Sequence, residues 1–233
     1  AMSAALHFEY DYLSRRTKLI YGNGSEVNYT YANNNDMVSL VQVFTALNPL
    51  TISYSFNSVH QEIGKAASDP SYLWHPATAG AITYGTADNT NKYPSVGGVT
   101  LTYDGAGNLS SDGVWSYSYD TENHLLSAVS SGVSASYLYD GLHRQIQKTV
   151  GVVKTRFVYS ALQRIADYDG STNTLQSRYV YGPGLDEPLL TVAGSGTLTY
   201  LHEDRLGSIF ATTNTAGSVT NKIALAPFGE GTV

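Results

Sequence analysis

"SYLYDGLHRQIQKTV" (residues 136–150) sets two tyrosines two residues apart, then an aspartate, a short polar run and an alternating tail. Nearly the same arrangement recurs as "TLTYDGAGNLSS" (100–111), "SYSYDTENHLLS" (116–127) and "FEYDYLSRRTKL" (8–19). A spacing of two puts both rings on one face of an extended strand. In "VSASYLYD" (133–140), Val133, Ala135, Tyr137 and Tyr139 share that face, and Ser134, Ser136, Leu138 and Asp140 take the other. The aspartate then opens a turn, because its carboxylate accepts a backbone N–H two residues on. A glycine or asparagine is expected to supply positive φ next: Gly141 here, Gly107-Asn108 and Asn123 in the sister copies. Each copy reads as strand, acid-led turn, strand, and the chain as a meander of hairpins.

The aromatic before the turn recurs at Tyr10, Tyr31, Phe56, Tyr84, Tyr103, Tyr119, Tyr139, Tyr159 and Tyr181, roughly 20 residues apart. A second ring stands two residues earlier at Phe8, Tyr29, Tyr54, Tyr117, Tyr137, Phe157 and Tyr179. The expected fold is all-β, a long antiparallel meander forming a curved or spiral sheet, with about twenty strands of roughly five to seven residues. Residues 1–7 read as a tail and 8–233 as a single array. Residues 60–100 carry Pro70, Pro76 and Pro94 and the weakest repeat, so they read as a degraded or inserted unit. Helical spacing is confined to "NSVHQEIGKAAS" (57–68), through Val59, Ile63 and Ala66.

Composition narrows the function classes. The chain holds 19 Tyr against 6 Phe and 2 Trp, and tyrosine's polar tip favours faces that are part packed and part wet. A net charge of −6 without a basic cluster argues against a nucleic-acid partner, which would call for a basic stripe. The absence of cysteine excludes a disulfide framework, a thiolate metal site and a cysteine nucleophile. No apolar run reaches the roughly 18 residues of a membrane-spanning helix.

At "LTYDGAGNL" (101–109), "YSYDTENHLL" (117–126) and "YLYDGLHRQI" (137–146) the chain resembles the RHS/YD-repeat family. "FEYDYLSRRT" (8–17) and "YTYANNNDMVSL" (29–40) match less closely, while "YLHEDRLGSIFATTNTAGSV" (200–219) and "APFGE" (226–230) resemble the family's later segment. The resemblance implies a stretch of hollow β-shell wall from a secreted or cell-surface bacterial toxin-delivery protein, with a polypeptide cargo or neighbouring shell segments as partners. It further implies a wall segment lacking the self-cleaving core and the toxin.

The candidate site residues divide into three groups. Asp11, Asp104, Asp120 and Asp140 are turn openers; as a calcium row they would need six to eight converging oxygens, which one aspartate per repeat supplies only if strands stack them. Tyr103, Tyr119, Tyr137, Tyr139, Tyr159, Tyr179 and Tyr181 form an aromatic ladder, expected to stack at the roughly 4.8 Å strand spacing or to present a glycan platform. His202, Glu203 and Asp204 in "YLHEDRLG" offer a general acid/base or metal pair, against the plainer reading of a strand entering a turn. His7, His60, His75, His124 and His143 show no metal-binding spacing, so no metal or cofactor is expected.

Three functions stay open at this level: an enclosing wall, a cell-surface or glycan-binding module, and a hydrolase built on His202. A sheet of this kind also exposes unpaired edges, which favours self-association.

Overall fold

The computed structural model describes residues 6–75 and 80–226, and the backbone of 231–232. Residues 1–5 of the tail, Pro76, and all but Ala226 of "APFGE" lie outside the described residues. The chain divides into two compact units, Ala1–Pro76 with Tyr179–Val233, and Ala77–Arg178. Among the described residues it is all-β, apart from one short 3-10 turn at Pro70–Tyr72.

The first six strands are β1 (Leu6–Tyr10), β2 (Arg16–Tyr21), β3 (Glu26–Tyr31), β4 (Met37–Val43), β5 (Leu50–Phe56) and β6 (Glu62–Ala67), paired in chain order as one antiparallel sheet. The stretch 57–68 is therefore not helical. Asn57 accepts from the Val59 and Gln61 amides, closing a turn, and Glu62–Ala67 pairs with β5. The Val59, Ile63 and Ala66 spacing never meets a surface to pack on; Val59 and Ile63 are exposed. β7 (Ser95–Val96) and β8 (Val99–Thr100) form a small hairpin across Gly97-Gly98, both at positive φ (59° and 81°) as a two-residue hairpin turn of this type requires.

The second large sheet holds thirteen strands in strict reverse order. They are β9 (Thr102–Tyr103), β10 (Leu109–Ser111), β11 (Ser116–Tyr119), β12 (Leu125–Ser130), β13 (Val133–Tyr139) and β14 (Gln145–Val150). β15 (Val153–Ser160), β16 (Gln163–Asp169), β17 (Leu175–Tyr181), β18 (Pro188–Ala193), β19 (Leu198–Glu203), β20 (Ile209–Thr213) and β21 (Val219–Lys222) follow. A last pair joins β22 (Ala224–Leu225) to β23 (Gly231–Thr232).

The packed core lies in the first unit. Leu19, Tyr21, Val27, Leu40 and Ile52 from β2–β5 cluster with Leu189, Leu190, Tyr200, Phe210 and Ala211 from β18–β20. Alternation in β5 (Leu50, Ile52 and Tyr54 buried, their neighbours not) is what a strand covered on one face gives. Among the described residues of the second unit the buried hydrophobics are Ala128, Ala135, Phe157 and Ala166, and none of these four belongs to that cluster. Its strands are held within the sheet.

Candidate functional site

One turn design repeats through both units. At Asp140 one carboxylate oxygen accepts the amides of Leu142 (2.9 Å) and Arg144 (3.1 Å), and the other takes Arg144 Nε at 2.8 Å. Asp11, Asp104 and Asp120 bind the amides two and four residues on in the same way. Asp88, Asp204 and Asn214 do so too. Bonding to the charged form holds the carboxyls of Asp11, Asp88, Asp104, Asp120 and Asp140 below their usual range. Arg15 is the main cause at Asp11, Asn108 at Asp104, the His124 amide at Asp120 and Arg144 at Asp140.

Counting the aspartate as position one, the left-handed residue stands at position four, and the register of the returning strand shifts at position seven. Ser14, Asn91, Gly107, Asn123 and His143 occupy it, at φ from 60° to 94°. The expectation for Gly141 is corrected: it is not left-handed, and His143 (φ 64°) carries that conformation. Asn108 likewise stands one place beyond the left-handed Gly107.

In four hairpins the tyrosine that ends the strand, followed by aspartate at Tyr103 and Tyr139 and by Ala32 and Ser160 in the other two, reaches back to the preceding turn. Its hydroxyl donates to the carbonyl at position six: Tyr31 to Arg16 (2.9 Å), Tyr103 to Tyr93 (3.0 Å), Tyr139 to Leu125 (3.1 Å) and Tyr159 to Gln145 (2.8 Å). The side chain at position five covers the same ring. Arg15 lies 4.7 Å from the Tyr31 centroid, Lys92 5.5 Å from Tyr103 and Arg144 5.0 Å from Tyr159; His124 stacks on Tyr139 at 4.6 Å. The tyrosine is thus a latch to the hairpin before it, and the aspartate that follows it at Tyr103 and Tyr139 shapes the next turn.

This changes the form of the aromatic ladder. Tyr117, Tyr137 and Phe157 share one face, because Tyr117 pairs with Ala128 and Ala128 with Ala135, two residues before Tyr137, while Tyr137 pairs with Lys148 and Lys148 with Thr155, two residues before Phe157. The ring-bearing strands alternate with return strands, so neighbouring rows stand at roughly twice the 4.8 Å spacing expected. Small or charged residues fill the gap. Tyr117 donates to Asp112 at 2.7 Å, and burial followed by that bond raises its phenol to about 12. Tyr119, Tyr179 and Tyr181 are half-buried on β11 and β17.

His202, Glu203 and Asp204 diverge. His202 is fully buried among the edges of Tyr21 (4.6 Å) and Phe44 (5.4 Å), its Nε2 2.9 Å from Thr213 Oγ1 and its Nδ1 without a partner. Burial lowers its pKa to about 3, so the ring is neutral. Glu203 is pushed up to about 8 by burial and then by Glu187, with Oε1 buried and unpartnered. Asp204 opens its own turn and takes Lys65 Nζ at 2.5 Å, while Arg205 binds Glu62. No common point is within reach of all three.

The turns bring together residues that sequence spacing did not. Position five of one turn meets position four of the next: Asn108 Nδ2 donates to Asn123 Oδ1 at 2.8 Å, and His124 Nε2 lies 2.8 Å from His143 Nδ1. Glu122 joins the second pair, with one ligand atom from each of the three residues within 4.8 Å of the others. The signal was present in the repeat register. His124 and His143 hold adjacent positions in consecutive turns, a relation that motif spacing along the chain does not reveal.

Against known proteins, residues 74–233 match the Teneurin YD-shell family. The tRNA3(Ser)-specific nuclease WapA of Bacillus spizizenii is 28% identical over 147 residues, 61% of this chain and 6% of that protein. The tRNA nuclease WapA of Bacillus subtilis is 33% identical over 97 residues, 40% of this chain and 4% of that protein. The chain thus spans a small fraction of the curated relatives it matches. Among solved structures, the Photorhabdus luminescens Tc holotoxin pore superposes with a TM-score of 0.63 at 13% identity, over 97% of this chain and 15% of that one. That likeness shows the fold, and the match over most of the sequence places the chain in the Teneurin YD-shell family.

Proposed function

We propose that this chain is a segment of shell wall in a secreted or cell-surface bacterial toxin-delivery protein, and that it encloses or presents another polypeptide. One observation carries the reading. From β9 to β16 the sheet is stabilised by latches within its own plane, while one face carries half-buried tyrosines and the other exposes Leu138 and Val158. A globular domain buries one sheet face against a second layer. A wall instead keeps both faces available, one to a guest chain and one to solvent or neighbouring segments. The relatives' names agree with a toxin setting, since they are nucleases and a toxin pore. Among the described residues β1 and β6 are edge strands, which suits pairing with further strands.

The test is photocrosslinking in the full-length gene product. A benzophenone side chain replaces Tyr137 or Tyr179 on the tyrosine face, or Leu138 or Val180 on the other. Enclosure gives crosslinks to a polypeptide segment from one face and not from its opposite. Equal yields from both faces, or none from either, would refute it.

A further inference from the structure

We infer that Glu122, His124 and His143 form a binding site for a borderline divalent transition metal such as Zn2+. Asp120 Oδ2 lies 2.9 Å from His124 Nδ1, so that nitrogen donates to the carboxylate and Nε2 presents its lone pair. A carboxylate behind a histidine, fixing its tautomer and raising its basicity, is the usual outer support of an imidazole ligand. Tyr139 stacked on His124 at 4.6 Å braces the same ring. His143 Nδ1 stands 2.8 Å from His124 Nε2, and Glu122 Oε2 lies 3.9 Å from that Nδ1. Three ligand groups on two consecutive turns therefore converge, with an acidic group behind the least mobile one.

The chemistry selects the ion. Two imidazoles and one carboxylate suit Zn2+ or Ni2+, whereas Ca2+ prefers six or more oxygens. Tetrahedral bonds of roughly 2.0–2.2 Å hold ligand atoms about 3.3 Å apart, so His143 must swing outward by about 0.5 Å. Its side chain is 63% exposed, which leaves it free to do so. On binding, the proton on His143 Nδ1 passes through solvent to Nε2, and Nδ1 becomes the ligand. A fourth position stays open to water. The metal would staple the hairpin turn at Asp120 to the one at Asp140.

The repeat supplies its own control. Changing His124→Asn and His143→Asn together copies the Asn108–Asn123 pair at the same positions of the preceding turns, where Asn108 binds Asp104 Oδ2 at 3.0 Å. Asparagine also tolerates the left-handed backbone at 143. The experiment is calorimetric titration of the metal-stripped 233-residue chain with ZnCl2, and with CaCl2 in parallel. The expected result is one equivalent of Zn2+ bound and no calcium heat. Affinity falls at least tenfold in the double variant and roughly tenfold in Asp120→Asn, which keeps the turn acceptor but not the carboxylate. Unchanged Zn2+ binding in the double variant, or no Zn2+ binding by the parent chain, overturns the assignment.

Discussion

His202 and Glu203 are neighbours on β19, and burial acts on their protonation in opposite senses. The imidazole's pKa falls from 6.5 to about 3, so the fold keeps it neutral while the unfolded chain takes up a proton below 6.5. Stability therefore drops as pH falls through that window, by about 3 kcal/mol at pH 4. The carboxyl's pKa rises from 4.5 to about 8, so its contribution is complete below 4.5 and disappears as pH rises through 8. The turn aspartates, held below 3.8, lose theirs only under stronger acid. We expect maximum stability between about pH 4.5 and 6.5. Thermal melts across pH check this. Glu203→Gln should raise the melting temperature at pH 8 and leave it unchanged at pH 4.5. His202→Gln should flatten the decline below pH 4.5 and, with Glu203 then unopposed, let stability rise as pH falls from 6.5 to 4.5; an unaltered profile would assign the decline elsewhere.

At the scale of one hairpin, the aspartate organises backbone amides and the cation beside it organises the next ring. Asn57 and Asn214 show that a neutral amide serves the first purpose, since each accepts from the amides two and four residues on. Asp140→Asn should therefore keep the turn while weakening the hold on Arg144 and its contact with Tyr159. Asp140→Ala removes both, and hydrogen exchange at the Leu142 and Arg144 amides should accelerate roughly tenfold. Equal exchange in the two variants would mean the carboxylate does not organise these amides. Much of this was legible beforehand: the period, the shared face of Tyr137 and Tyr139, and the acid at the bend follow from residue type and spacing. The left-handed position was legible only in part: Gly107 and Asn123 were expected, whereas Ser14 and His143 meet the same backbone requirement without the side-chain types that signal it. The ladder's true spacing was not legible, since a return strand between ring-bearing strands leaves no aromatic mark. His202 misled for the opposite reason: an acid-flanked histidine reads as chemistry, and only the strands across the core reveal its enclosure.

Across the whole molecule the two units rest on different forces. The first buries Leu190, Tyr200, Leu40 and Ile52 at 0–1% exposure in one cluster, so apolar burial dominates its stability. The strands from β9 to β16 bury mainly alanines and rely on ladder bonds and latches, each of modest net value. Native-state hydrogen exchange should therefore show its highest protection in β2–β5 and β18–β20, and less between β9 and β16. Leu190→Ala separates the two contributions. Emptying that position should cost about 2–5 kcal/mol through lost burial and the cavity left behind. The loss should register in the amides of β2–β5 and β18–β20, while those of β9–β16 keep their rates because no residue there joins the cluster. A uniform acceleration along the chain would mean that the sheet unfolds as one cooperative body, with the core holding the meander as well.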